Sequence, residues 1–195
     1  MLNKAIILLV AAVFAAPVLA NDFSNLPAKK QTQFGLYFTA KQAHDYINSN
    51  TDKSLFVDVR TRAEVNFLGT PSNIDANIPY MELNEWWAWN EKRKTFKMEV
   101  NSNFADDIAA RLAAKGLGKD DTIVLMCRSG SRSAKAADLL KTLGYTKVYS
   151  IVDGYEGDTS KTASTKGQRI VNGWKNSQLP WSYKLDKEKM YNVGG

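Results

Sequence analysis

The chain has 195 residues, with 26 Lys and Arg against 20 Asp and Glu and a formal net charge of +6 at neutral pH. That length suits one domain able to bury a full core. A surplus this small, scattered and without a binding motif, excludes a nucleic-acid-binding signature while leaving room for anionic small molecules or acidic partners.

The chain opens with Lys4, the apolar run Ala5 to Ala16, and "PVLA" ahead of Asn21. A positive start, a short greasy segment and small residues at Val18 and Ala20 are the layout of a secretory signal over residues 1–20. The run is short for a bilayer span, and no second apolar segment approaches that length. The expectation is a chain exported to a bacterial periplasm, starting at Asn21 and lacking a stable membrane anchor once the signal is removed. Residues 21–38 form an N-terminal segment.

"TAKQAHDYI" offers Thr39 as a helix N-cap with Gln42 three residues on, a capping box, followed by Ala43, Tyr46 and Ile47 at helical spacing. His44 falls on the flank of that helix. "SLFVDV" (Ser54 to Val59) suits a buried strand, and a second short strand is expected at Ala76 to Tyr80. After Asn103, apolar Phe104, Ile108 and Leu112 recur every four residues, with Asp106 and Asp107 in the first turn, Lys115 in the last and Gly116 beyond it. "TIVLM" is a fully apolar strand leading to Cys127. The helix after the cysteine loop is expected to begin at Ser133, to bury Ala136, Leu139, Leu140 and Leu143, and to stop at Gly144. "KVYSIV" supplies another strand, ending near Val152.

Short apolar strands alternating with helices indicate an α/β fold: a mostly parallel central sheet with helices on both faces. In such sheets ligands bind beyond the carboxyl ends of the strands, and Cys127 sits at one of those ends. Two stretches break the pattern: "NEWWAWNEKRKTF", with Trp86, Trp87 and Trp89 ahead of a basic cluster at 92–94, and the polar segment 157–169.

Cys127 is the sole cysteine, so it is either an inert buried thiol or a reactive one. Its neighbours decide for reactivity. Residues 127–132 read Cys-Arg-Ser-Gly-Ser-Arg, with Ser133 following. A loop from strand end to helix start points backbone N–H groups inward and adds the positive end of the helix, an anion-binding nest. Gly130 supplies a conformation that a β-carbon would penalise. Arg128 and Arg132 add fixed positive charge suited to oxyanions. A cysteine placed there has a depressed pKa and the character of a nucleophile. With one histidine and one cysteine in the chain, no usual zinc or copper ligand set exists. No dinucleotide or phosphate-loop fingerprint appears either, so neither metal nor cofactor is expected.

These residues resemble the active-site loop of the rhodanese family of sulfurtransferases, which commonly shows Cys-Arg-x-Gly-x-Arg-Ser. "VDVRTRAEVNFLGT" is similar to the family's Asp-Val-Arg segment, with Glu64 four residues after Arg60. "ANIP", "GYEG" and "NGWKNSQLP" resemble its later strand, its glycine-rich loop and its closing Trp–Pro helix. The family's usual Gly-His-Ile is replaced by Gly69-Thr70-Pro71. The resemblance implies a rhodanese-like domain over residues 39–185, an insert at about 157–169 and a tail at 186–195.

It also implies a sulfurtransferase. Cys127 would take sulfane sulfur from thiosulfate or a similar anionic donor as a persulfide and pass it to cyanide, a small thiol or a partner protein. The substrate-binding set is then Arg128, Ser129, Gly130, Ser131, Arg132 and Ser133. Arg132 serves equally as a donor-orienting group or as a clamp on the loop carbonyls. Asp58 is either an anchor for a loop arginine or a strand-end turn residue; Arg60 and Glu64 read as a structural ion pair.

Cysteine phosphatases and arsenate reductases are the rival chemistry. Their signature places five residues between Cys and Arg and usually a His before the Cys; here four intervene and Met126 precedes. The rival from another class is a sulfur carrier or binding module that loads without turnover. Its docking surface would be the tryptophan segment with the basic cluster, which reads otherwise as core and rim packing. The segment 157–169 reads as a solvated loop or as a lid.

Overall fold

Two apolar runs, β2 (Ser54–Asp58) and β9 (Thr122–Met126), are buried along their whole length. Strands buried on both faces belong at the centre of a parallel sheet, and that is where the computed structural model, which describes residues 23–194, places them. In chain order the other elements are β1 (Tyr37–Phe38), α1 (Ala40–Ser49), α2 (Arg62–Leu68), β3 (Thr70–Pro71), β4 (Ala76–Asn77), β5 (Met81–Leu83), β6 (Trp89–Asn90), β7 (Thr95–Phe96), β8 (Met98–Val100), α3 (Phe104–Ala114), α4 (Ser131–Thr142), β10 (Lys147–Ile151) and β11 (Trp181–Ser182). The secretory signal expected over residues 1–20 lies outside the described residues. No helix of the described residues is long and apolar enough to cross a membrane.

The main sheet has the order β1-β10-β9-β2-β4 and every pairing in it is parallel. Successive side chains alternate between its faces. Leu55, Val57, Ile123, Leu125 and Cys127 pack with Phe104, Ile108 and Leu112 of α3 and Ala136 and Leu140 of α4. Phe56, Val124 and Met126 pack on the other side with Ala43 and Ile47 of α1, Tyr155 and Trp174. Helices therefore cover both faces, as the alternation of runs indicates.

The capping box at Thr39 and Gln42 forms, and a second one, Thr61 with Glu64, starts α2. Four features differ from the sequence reading. The Trp–Pro stretch, expected by resemblance as a closing helix, forms turns at 174–178. Helix α4 begins at Ser131, two residues before Ser133, because Gly130 is its N-cap at φ 95° and completes the turn early. The strand expected over residues 76–80 is paired only at Ala76–Asn77; Pro79 has no N–H to extend the ladder, although the N–H groups of Ile78 and Tyr80 still reach the carbonyls of Asp58 and Val59. Leu143 lies past the last turn of α4 and is exposed, and Leu139 is half-buried.

Segments outside the main sheet close its edges. β11 returns antiparallel to β3, and β5 with β8 and β6 with β7 form two antiparallel pairs that carry the tryptophan segment outward. Trp86, Trp87 and Trp89 are 86%, 60% and 45% exposed, so the reading of core packing for them is overturned. The rings of Trp87 and Trp89 meet Phe96 across the hairpin instead of the core.

A fully buried ion pair fixes the end of β2. Arg60 lays its guanidinium on both carboxylate oxygens of Asp58, with Nη2 at 2.5 Å from Oδ2. The same Nη2 donates to the carbonyl of Gly69 at 2.7 Å, and the guanidinium carbon sits 3.8 Å from the centre of the Tyr155 ring. Thr70, in the place of the family's usual histidine, adds its hydroxyl to Asp58 Oδ2 at 3.1 Å. Arg60 thus turns back onto Asp58 and does not pair with Glu64, and Asp58 anchors this arginine rather than one from the cysteine loop. The reason is geometric: the two residues are two positions apart, and the Arg60 N–H already bonds Asp58 Oδ1.

Removing one partner leaves an uncompensated charge in the core, a cost of roughly 3–5 kcal/mol. Arg60→Leu is expected to lower the urea-unfolding free energy by that order. A change below about 1 kcal/mol would show that the pair is not the anchor described here.

Candidate active site

Strand β9 has neighbours on both sides, so its carboxyl end opens near the middle of the sheet edge, and Cys127 is the first residue beyond it. The loop Cys127–Gly130 then turns directly into α4. Its shape is set by a second backbone segment, residues 152–157. The N–H of Tyr155 donates to the carbonyl of Cys127 at 2.8 Å, and those of Glu156 and Gly157 donate to the carbonyl of Arg128 at 3.0 and 3.2 Å. With the carbonyls drawn outward, the loop's N–H groups face the sulfur.

Two glycines permit this contact. A β-carbon on Gly130 would lie 2.3 Å from the carbonyl oxygen of Val152, and one on Gly154 would lie 2.5 Å from that of Cys127. Both glycines also hold positive φ, a region costly to other residues.

Cys127 Sγ is at the floor of this cradle, 1% exposed as a residue. The Gly130 N–H donates to it at 3.1 Å and the Ser133 hydroxyl lies 3.5 Å away. Ser133 is buried, and its oxygen accepts from the buried Ser150 hydroxyl at 2.9 Å. Ser150 was not singled out in the sequence; the one available signal is a small polar residue inside the apolar run "KVYSIV".

The first N–H groups of α4 have no acceptor within the helix, and the first intrahelical bond runs from Ala134 to Gly130. Burial alone raises the Cys127 pKa. The Arg132 charge, the Ser133 hydroxyl and N–H, and the Ser129 N–H outweigh it, and the net shift is downward. A lowered pKa favours the thiolate form of a thiol that burial alone would keep neutral.

The two loop arginines differ. Both terminal nitrogens of Arg132 donate to Glu64, each at 2.6 Å, so the ion pair expected between Arg60 and Glu64 is replaced by Arg132 with Glu64. Arg132 is thereby fixed by a carboxylate rather than by loop carbonyls, while its charge still acts on the sulfur. Glu64 also caps the Thr61 N–H at 3.0 Å.

Arg128 is exposed, and among the described residues its side chain has no hydrogen bond or ion pair to protein. Ser129 and Ser131 are half-buried at the rim. The segment 157–169 is tied at its root: Thr159 bridges Arg169 across it, and Lys30 holds Asp158 at 2.8 Å. A concavity of about 390 Å³ lies away from Cys127, between α2 and the C-terminal segment near Leu185 and Tyr191. Cys127 sits in a loop cradle and not in that cleft.

Similarities to known proteins agree with this geometry. The family described as Rhodanese-like domain matches residues 39–161. The "Uncharacterized protein RP600 homolog" of Rickettsia rickettsii is 31% identical over 143 residues, 73% of this chain and 93% of that protein. "Thiosulfate sulfurtransferase 16, chloroplastic" of Arabidopsis thaliana is 32% identical over 111 residues, 57% of this chain and 78% of that one. The crystal structure of Rv0390 from M. tuberculosis superposes with a TM-score of 0.54 at 27% identity, covering 75% of this chain and 96% of that one.

The pair behind the thiolate gives a pH test. Burial raises the Glu64 pKa, but the hydrogen bonds and charge of Arg132 bring it down to about 2, against an ordinary 4.5. A depressed folded pKa means stability fully present above the ordinary value and lost as the pH falls toward the folded one, a contribution of roughly 3 kcal/mol. Urea midpoints measured from pH 5 to pH 2 (about the span of that titration) are expected to fall more steeply in the wild type than in Glu64→Gln. Parallel curves would mean that Glu64 is not paired as seen.

Proposed function

This chain belongs to the rhodanese-like family, and we propose that it is a sulfurtransferase moving sulfane sulfur from an anionic donor of the thiosulfate type, through a persulfide on Cys127, to an external thiophilic acceptor. The observation that carries the reading is the cradle around the Cys127 sulfur: Sγ accepts from the Gly130 N–H, and the carbonyls of Cys127 and Arg128 are taken up by the N–H groups of residues 155–157.

In the first step the Cys127 thiolate attacks the outer sulfur of the donor. A Cys127 S–S bond forms, the donor's own S–S bond breaks, and its electron pair leaves on sulfite. The product persulfide carries the same single negative charge as the thiolate it replaces. The Gly130 N–H, the Ser133 hydroxyl and the positive end of α4 stabilise that charge throughout, without rearranging between the steps. In the second step the acceptor attacks the outer sulfur and restores the thiolate. The chain has no second cysteine, so the acceptor is external: cyanide in an assay, and a small thiol or a thiol of a partner protein in the cell.

Phosphoryl and arsenate chemistry fits less well. It requires the arginine after the loop to grip the transferred oxyanion, and Arg132 has both terminal nitrogens on Glu64. The loop is also one residue shorter than the phosphatase signature. The leader pattern around Lys4 and the apolar run after it support export to a periplasm as the place of action.

Intact mass spectrometry tests the chemistry. Thiosulfate is expected to add one sulfur atom to the protein, cyanide to remove it, and Cys127→Ser to take up none. The loading rate should fall as the pH drops below the thiolate's pKa. Ser133→Ala, which removes a donor to the sulfur, should move that limb to higher pH and slow loading by roughly tenfold. An accessible Cys127 that loads from neither thiosulfate nor polysulfide would rule the proposal out. Loading that cyanide cannot reverse would favour a carrier with a dedicated protein acceptor.

A further inference from the structure

Strand β10 carries one hydroxyl that the fold by itself does not require. The strand lies inside the sheet, between β1 and β9, and Ser150 pairs with Tyr37 on one side and Leu125 on the other. Its neighbours Val148 and Ile151 are wholly buried and apolar, and Ser150 is buried with them. A hydroxyl in such a place is costly unless it is hydrogen-bonded. Among the described residues, the one hydrogen bond of the Ser150 side chain goes to Ser133 Oγ, at 2.9 Å.

Ser133 has a single hydroxyl proton and two acceptors within reach. Its Oγ lies 3.1 Å from the Gly130 carbonyl oxygen and 3.5 Å from Cys127 Sγ. A hydroxyl rotates to suit its surroundings, and its oxygen offers two lone pairs. The Ser150 proton occupies one of them, which turns the Ser133 proton away from β10. The directions left to that proton are the two acceptors on the loop. Donation into the oxygen also polarises the Ser133 O–H, as in any chain of hydrogen bonds. Once the sulfur is negative, the charge-assisted bond to Sγ is the stronger of the two. A line of buried side chains therefore runs from β10 through α4 to the reactive atom.

We infer that Ser150 is a positioning residue for Cys127: it holds the Ser133 hydroxyl in the orientation that meets negative charge on the sulfur. Ser150 acts only through Ser133, without a bond of its own to the sulfur. The charges that act on Cys127 come from Arg132, held by Glu64, and from Arg169. Ser150 carries no charge, so its removal changes an orientation and leaves those fields in place. The same hydroxyl serves the thiolate before sulfur transfer and the persulfide after it. That second role rests on the sulfurtransferase reading; the positioning does not.

Titration of the thiol in the full chain tests the positioning without any substrate. Cys127 is the sole cysteine, so the ultraviolet absorbance of the thiolate, with Cys127→Ser as the blank, reads that group alone. Ser133→Ala is expected to lower the acid dissociation constant of the thiol roughly tenfold, and Ser150→Ala to lower it roughly threefold. The double variant should match Ser133→Ala, because Ser150 then has nothing left to orient. Ser150→Thr keeps the hydroxyl, and Ser150→Val has nearly the same shape without it. The Thr variant should titrate like the wild type and the Val variant like Ser150→Ala. That comparison carries the test should Ser150→Ala not fold.

With thiosulfate, Ser150→Ala should load roughly threefold more slowly below the thiolate's pKa and approach the wild-type rate at higher pH. Unchanged titrations in Ser150→Ala and Ser150→Val would overturn the inference. A Ser150 effect that persists undiminished in the Ser133→Ala background would overturn it as well, because the residue would then act through packing. A shifted titration in a protein that takes up no sulfur would support the positioning role and defeat the sulfurtransferase reading instead.

Discussion

The contact between two stretches of bare backbone, the cysteine loop and residues 152–157, shapes everything at the reactive end of this fold. Each loop residue carries a carbonyl beside its N–H, and a carbonyl aimed at a thiolate would repel it. Here the carbonyls of Cys127 and Arg128 are claimed by the N–H groups of Tyr155, Glu156 and Gly157, and the loop can present only donors to the sulfur. The approach is too close for side chains, which is why Gly130 and Gly154 stand where they do. A negative charge at the Cys127 sulfur is then met by groups already in place.

Charges around the loop are sorted into two kinds. Two of the arginines are paired: Arg60 with Asp58 beneath the Tyr155 ring, and Arg132 with Glu64 at the start of α2. These pairs connect the ends of β2 and α2 to the loop and to Tyr155, so the parts of the site cannot drift independently. Arg132 in addition lends its charge to Cys127 while remaining tied by Glu64. Arg128, exposed at the loop, has no carboxylate partner among the described residues. Paired charges therefore build the frame.

Much of this architecture is legible in local patterns. The strands announce themselves as short apolar runs, α1 by its capping box and α3 by its spacing of four, because each depends on neighbours within a turn or two of chain. Cys127 at a strand end, Gly130 and the start of a helix form one contiguous stretch, and the anion cradle is readable for that reason. The start of α4 is misplaced by two residues because a left-handed glycine can serve as the cap itself. The tryptophans mislead because composition says that a residue is apolar and not whether any surface remains to cover it; the β6–β7 hairpin reaches past the core.

Charge partners belong to a different level. Glu64 and Arg132 are 68 residues apart and Lys30 and Asp158 are 128 apart, and neither pair has a spacing to reveal it. They meet because the sheet order places β9 between β2 and β10 and brings the carboxyl ends of all three strands to one edge. The same order carries Ser150 beneath Ser133 and the root of the segment 157–169 beside the cysteine loop. The chain alone determined the elements and the loop that holds Cys127, since these rest on short-range backbone preferences and hydrophobic periodicity. Which carboxylate neutralises which arginine was decided only by tertiary packing, because electrostatic pairing depends on distance in space and not on distance along the chain.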